Sequence, residues 1–304
     1  MEKVKYGGWS SCVRLANDKV EMVVTTEVGP RIIRFGFVGG ENELKEFPEM
    51  LGRTGDAEWR VYGGHRLWHA PEQMPRSYVP DNAPVRVKET KSGVRLTQAV
   101  EPETGIEKEM EVSVSLSGAR GRVTHRVTNR GVWPVELAPW ALTVLAPGGR
   151  AIIPLPPRGS HEENLAPANT LTLWAYTDMT DARWTWGEKF ILLRQDPQAS
   201  KPQKVGVMVP AGWAAYVRGG RLFVKTFRYV AGAHYPDWGC SVETFTNKDM
   251  LELETLAPVA KLDPGASAEH HENWFLFDNV PVPECDADVE KHVLPRVNKV
   301  LSAK

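Results

Sequence analysis

An all-β fold is predicted for this 304-residue chain by three observations. Apolar and polar residues alternate with period two in segment after segment, glycine pairs separate those segments, and helical periodicity is confined to the C-terminus. Met110, Val112, Val114 and Leu116 alternate with Glu111, Ser113 and Ser115, which describes a strand with one solvated face. Val123, His125 and Val127 alternate with Arg122, Thr124, Arg126 and Thr128 in the next strand, and Val94 and Leu96 face opposite Arg95 and Thr97. Further strands are expected over 19–26, 30–38, 134–146, 189–194, 204–209, 212–217, 221–227, 239–246, 250–256 and 267–277. Gly219-Gly220, between two such runs, reads as a two-residue hairpin turn. So many short strands without intervening helices predict an antiparallel sandwich or barrel, not βαβ units. A short helical turn broken by Pro48 is expected over 42–51, and a long irregular loop over 147–170. Val289, Val293, Val297, Val300 and Leu301 form one apolar stripe on a helix of about 286–301, with Asp286 or Asp288 as its cap. With no internal repeat and no linker composition, one domain over 1–304 is expected.

Composition excludes several classes of function. Hydrophobic residues make up 42% and charged residues 25%, enough for a large core under an ordinary polar surface. A formal net charge of −1 offers no basic field to a nucleic acid. No apolar run approaches the roughly 20 residues of a membrane-spanning helix. The first nine residues, Met1 to Trp9, lack the apolar stretch of a secretory leader, so the expected compartment is the cytoplasm. Cys12, Cys240 and Cys285 are odd in number and far apart, which fits neither a disulfide framework nor a zinc site. Eleven tryptophans is a high count. Most are expected in the core, and the rest are free to offer flat faces to a ligand.

The most informative stretch is Tyr62-Gly63-Gly64-His65-Arg66-Leu67-Trp68-His69-Ala70-Pro71-Glu72. The glycine pair permits positive φ and close approach of another group to the backbone. In an extended chain His65, Leu67 and His69 share one face, and Arg66 and Trp68 the other. Imidazole, guanidinium and indole together suit a polar ligand with apolar faces, such as a sugar. Arg66 is a candidate hydroxyl or anion clamp and Trp68 a candidate platform. His65 and His69 have HxxxH spacing, but Arg66 replaces the glutamate of a metalloprotease and no helix surrounds them, so no metal is expected.

A second stretch runs Tyr235-Pro236-Asp237-Trp238-Gly239-Cys240-Ser241-Val242-Glu243-Thr244-Phe245. Pro236 and Gly239 mark a turn into a strand on which Glu243 faces with Ser241 and Phe245. A carboxylate there, behind a loop carrying His234, Asp237 and Trp238, suits a general base. Glu252 and Glu254, alternating with Leu251 and Leu253, read instead as the solvated face of a half-buried strand, and His270-His271 as a strand edge. Phosphate-binding glycine loops and a nucleophile elbow are missing.

Three short motifs resemble the galactose mutarotase-like superfamily, which includes the aldose 1-epimerases, over nearly the whole chain. Tyr62-Gly63-Gly64-His65 resembles the glycine pair lining that family's sugar pocket. Val127-Thr128-Asn129 with Pro134-Val135-Glu136-Leu137 resembles the strands preceding its catalytic histidine. Cys240-Ser241-Val242-Glu243-Thr244 resembles the strand bearing its glutamate base. The resemblance implies a β-supersandwich with an open cleft on one large sheet, a sugar or oligosaccharide as partner, and no cofactor. It also implies a reaction in which a glutamate takes the anomeric hydroxyl proton and a histidine protonates the ring oxygen. One position departs: the pattern puts Trp140 where the histidine belongs, and an indole N–H cannot cycle protons near neutral pH. The acid must then come from His65, His69, His125 or His234, with His65 favoured by its glycine setting. A non-catalytic sugar-binding protein is the alternative. A glycan lyase or hydrolase is the third reading, with Glu72, Asp237 or Tyr235 as its further groups.

Overall fold

The alternating segments form strands in the computed structural model, which describes residues 1–302. In chain order they are β1 (Glu2–Tyr6), β2 (Trp9–Ala16), β3 (Val20–Thr25), β4 (Arg31–Phe37), β5 (His65–Ala70), β6 (Arg86–Glu89) and β7 (Gly93–Thr97). There follow β8 (Ile106–Val114), β9 (Arg120–Asn129), β10 (Val135–Leu145), β11 (Arg150–Pro154), β12 (Leu171–Leu173), β13 (Trp184–Trp186) and β14 (Phe190–Arg194). The last are β15 (Gln203–Val207), β16 (Trp213–Arg218), β17 (Arg221–Phe227), β18 (Val242–Thr246), β19 (Leu251–Leu256), β20 (Ala260–Leu262) and β21 (Ser267–Phe277). One antiparallel sheet has eleven strands in the order β1-β2-β3-β4-β5-β10-β19-β18-β15-β12, with β20 also paired to β10. The other has ten, ordered β13-β14-β11-β16-β17-β21-β9-β8-β7-β6. This is the β-supersandwich expected from the sequence.

The main core lies between the sheets, where Val24, Ile32, Leu67 and Leu253 of the first meet Val94, Val123, Phe223 and Leu276 of the second. Gly219 and Gly220, at φ +55° and +80°, make the hairpin turn that pairs Arg218 with Arg221. The C-terminal helical segment, 286–301, lays Val289, Val293 and Val297 on Ile152, Trp213 and Val224 of the ten-stranded sheet. Burial of such side chains stabilises by about 1.5–3 kcal/mol each, which docks the segment on its own chain.

Local expectations differ in three places. Residues 42–51 form no helix: Leu44 bridges Leu145 and Glu46 bridges Gly63, so cross-strand pairing overrides local propensity there. The expected loop 147–170 contains β11, which is paired on both sides within the ten-stranded sheet. Neither Asp286 nor Asp288 caps the terminal helix. Their carboxylates accept the backbone N–H groups of Lys189 and Glu284, each at 2.9 Å.

Candidate functional site

Gly63 and Gly64 have φ of +96° and +71°, and the close approach they permit comes from the chain itself. A Cβ on Gly63 would stand 2.0 Å from the Lys45 carbonyl oxygen, and one on Gly64 2.3 Å from that of Ile32. The pair thus lets β5 enter the sheet beside β4. From there β5 alternates as its sequence predicts. His65, Leu67 and His69 point between the sheets, while Arg66 and Trp68 point to the outer face of the eleven-stranded sheet.

On that outer face, strand register assembles one row from distant segments. Arg66 is paired with Leu142, Leu142 with Glu254, Glu254 with Glu243, and Glu243 with Gly206. An adjacent row pairs Trp68, Trp140 and Leu256. Cross-strand partners of this kind sit about 4.5–5.5 Å apart at Cβ, so their side chains form one floor. Over it lies a cleft of about 220 Å³ walled by Trp59, Trp68, Tyr78 and Tyr176, with Arg66, Lys204 and Glu252 in its floor. Nη2 of Arg66 donates to Glu252 Oε1 at 3.0 Å, and its guanidinium carbon lies 4.8 Å from the Trp68 ring. Arg66 is 3% exposed, yet its Nε and Nη1 have no hydrogen-bond partner, nor does the indole nitrogen of Trp59.

Beside this cleft three ionisable groups are packed together. Lys204 Nζ stands 2.8 Å from Glu243 Oε2 and 3.5 Å from Glu254 Oε2, between the rings of Trp140 and Trp174 at 4.8 and 4.5 Å. Trp140 Nε1–H donates to Glu254 Oε2 at 2.8 Å. Both carboxyls are wholly buried. Burial, and the neighbouring Glu254, push Glu243 well above the usual carboxylate range against the attraction of Lys204. Burial, opposed by Lys204, raises Glu254 to about 7. Burial also works against the charge on Lys204, but the two carboxyls outweigh it and hold the ammonium charged to well above its usual range. Two buried carboxyls beside one ammonium thus both bind protons more strongly than exposed carboxyls do. Glu243, expected as a base in the cleft, is wholly buried beneath Lys204, which stands between it and the cleft.

The histidines sit elsewhere. His65 and His125 are sealed between the sheets with their Nε2 atoms 2.7 Å apart. His65 Nδ1 meets Thr143 Oγ1 at 2.8 Å, and His125 Nδ1–H donates to the His270 carbonyl at 3.0 Å. Lys225 Nζ lies 2.7 Å from Glu272 Oε1 and donates to Thr143 Oγ1 at 2.9 Å. His270, expected at a strand edge, is buried here with its Nε2 on Thr255. Burial lowers His65, His125 and His270, the last two to about 4 and 3, despite nearby Glu272. None of these rings reaches the cleft: His65 points to the opposite face of β5 from Arg66, and His125 and His270 belong to β9 and β21 of the other sheet. His65, expected as the acid, is therefore a core residue. His69 is buried as well, with Nε2 3.8 Å from Glu101 Oε2, and it borders a separate cavity of about 330 Å³ beside Arg76, Ile106 and Leu137, not the cleft over Arg66. His65, His125 and Glu272 place metal-competent donor atoms within 4.8 Å of one another. The Lys225 ammonium beside Glu272 already supplies the positive charge, and the rings are satisfied by one another, so the arrangement fits a polar core better than a cation site.

At the other end of the cleft, His234, Asp237 and Trp238 line a second cavity of about 600 Å³ with Trp174 and Glu136. Tyr235 is turned away: it is buried, stacked on Tyr229, and its hydroxyl accepts the Val230 N–H at 2.9 Å. Glu72 accepts the Tyr78 hydroxyl at the cleft wall. Sequence reasoning missed Lys204, Trp59, Trp174 and Tyr176, and placed Glu252 and Glu254 in solvent. The alternation of Leu251 and Leu253 with Glu252 and Glu254 correctly assigns the two faces. What lies over the polar face is set by side chains from other segments.

No family model matches the chain, and no curated protein matches it. Solved structures do. A galactose mutarotase-like protein from Lactobacillus casei aligns over 88% of this chain and 100% of its own, at 9% identity and a TM-score of 0.55. One from Clostridium acetobutylicum aligns over 91% and 98%, at 11% identity and a TM-score of 0.53. A galactose mutarotase related enzyme from Lactobacillus acidophilus aligns over 88% and 98%, at 10% identity and a TM-score of 0.53. At such identities the likeness speaks for the fold and not for an activity. No helix among the described residues is long and apolar enough to cross a membrane. The chain has the galactose mutarotase-like fold.

Proposed function

We propose that this protein binds a carbohydrate in the cleft of the eleven-stranded sheet and does so without a mutarotase's histidine–glutamate relay. The observation that carries this reading is Arg66. A guanidinium almost wholly withdrawn from water, with Nε and Nη1 unpartnered, lines a cavity walled by indole and phenol rings. Unpartnered buried donors are costly unless an acceptor arrives, and the hydroxyl oxygens of a sugar are acceptors set on a ring with apolar faces. Trp140 stands in for the acid, and Lys204 covers the carboxylate that would serve as base. Titration calorimetry across a panel of hexoses, with magnetisation-transfer NMR on the same samples, tests the reading. Binding without accelerated anomer exchange is expected, with the affinity lost in Trp68→Ala. Absence of binding to every sugar would overturn it.

A second reading, aldose mutarotation, is favoured by Glu243, whose burial makes its carboxylate a stronger base than an exposed one. In it, Glu243 removes the anomeric proton once Lys204 moves aside, and His234 at the rim supplies the acid. It predicts accelerated exchange that disappears in Glu243→Gln. Equal exchange with and without protein rejects it.

A further inference from the structure

The turn before β18 is built in a conformation that bulky residues avoid. Asp237 and Trp238 have φ of +50° and +64°, consecutive left-handed residues that are neither glycine nor asparagine. Left-handed backbone at such residues is strained and persists where the surroundings impose it. Here the surroundings are specific. Thr172 Oγ1 of β12 donates to the Asp237 carbonyl at 2.9 Å, the Cys240 N–H donates to the Pro236 carbonyl at 2.9 Å, and Cys240 Sγ lies 3.0 Å from the Asp237 oxygen. The result is an indole held out in solvent, with Trp238 84% exposed, at the lip of the 600 Å³ cavity.

That cavity continues the cleft. Trp174 lines it and also covers Lys204, which lines the cleft, while Pro71 borders the one and Glu72 the other. At 220 Å³ the cleft alone falls below the roughly 300–1,000 Å³ usual for a small-ligand pocket, and the adjoining cavity lies within that range. The adjoining walls combine the faces of Trp174 and Trp238 with the polar groups of His234, Asp237 and Glu136. Two carboxyl groups make this end unsuitable for an anion.

We infer that the ligand is a neutral glycan of at least two linked sugar units, one seated over Arg66 and Trp68 and the next stacked on Trp238. This rests on the carbohydrate-binding reading above and extends it to a second subsite.

The test is titration calorimetry of the intact protein with glucose, galactose and mannose and with trisaccharides of the same units in α-1,4 and β-1,4 linkage. For at least one sugar the trisaccharide is expected to bind about tenfold or more tightly than its monosaccharide. Trp238→Ala should erase that advantage and leave the monosaccharide affinity unchanged. Trp238→Gly, which suits the positive φ, should do the same, attributing the effect to the ring and not to backbone strain. Trp68→Ala should weaken both ligands. Equal affinities for monosaccharide and trisaccharide, or trisaccharide affinity indifferent to Trp238, would overturn the second subsite while leaving the first intact. No binding by any probe would overturn both, and monosaccharide binding with trisaccharides excluded would overturn the second alone.

Discussion

Lys204 Nζ lies 2.8 Å from Glu243 Oε2, a buried ion pair at the position where the fold's resemblance leads one to expect an accessible base. The ammonium is pressed between two indoles, and Glu254 competes for it from the next strand. Removing one partner of a buried pair leaves an uncompensated charge and costs about 3–5 kcal/mol. Lys204→Met is therefore expected to lose about that much stability at pH 8 in urea unfolding. Without Lys204 the folded carboxyls hold protons to still higher pH than the unfolded ones, so part of the loss should return as pH falls from 8 towards 5. A variant within about 0.5 kcal/mol of the parent at pH 8 would show that the pair carries little.

The histidine network between the sheets gives a pH dependence of opposite sign. Burial holds His270 neutral down to about 3 and His125 to about 4, whereas in the unfolded chain both titrate near 6.5. Between those limits the unfolded state takes protons that the folded state refuses, so stability drops as pH falls through that window. Each histidine contributes a slope approaching about 1.4 kcal/mol per pH unit. His270 faces His125, Thr255 and Glu272, so replacing its ring by an amide keeps polarity but removes titration. Urea midpoints measured from pH 7 to pH 4 should fall less steeply for His270→Gln than for the parent. Parallel profiles would remove the ring from the acid response.

Trp140 separates two roles that one ring performs. Its N–H satisfies Glu254 while its face covers Lys204. Trp140→Phe keeps an aromatic face and deletes the donor, leaving a buried carboxyl oxygen short of a partner. A loss of about 1–3 kcal/mol in equilibrium unfolding is expected. Unchanged stability would mean that the indole N–H contributes nothing net.

The glycines make a controlled comparison. A Cβ at Gly63 would meet a backbone oxygen at 2.0 Å, whereas one at Gly39, also at positive φ, would meet nothing within 4 Å. Gly39→Ala should lose about 1–2 kcal/mol from backbone conformation alone. Gly63→Ala, which must also displace the Lys45–Glu46 backbone, should lose more than that or fail to fold. Thermal unfolding of the two variants side by side decides the matter, and equal losses would refute the close-approach role.

Period-two alternation by itself determined most of this molecule. It located β8, β9, β10, β17, β19 and β21, placed Arg66 and Trp68 on one face of β5 and His65 and His69 on the other, and put Glu243 on the face shared with Phe245. Short or irregular pieces such as β11 and β12 were invisible to it, because a few residues carry no period. Tertiary structure alone decided what each face meets. The row from Arg66 through Leu142 and Glu254 to Glu243 joins residues far apart in the chain, and only strand register brings them together. For the same reason Glu252 and Glu254 read as solvated until Trp59, Trp174, Tyr176 and Lys204 were seen near them, and His65 read as a pocket acid until the second sheet was seen to cover it. Alternation reports which side chains share a surface; packing of a second layer decides whether that surface is core, cleft or solvent.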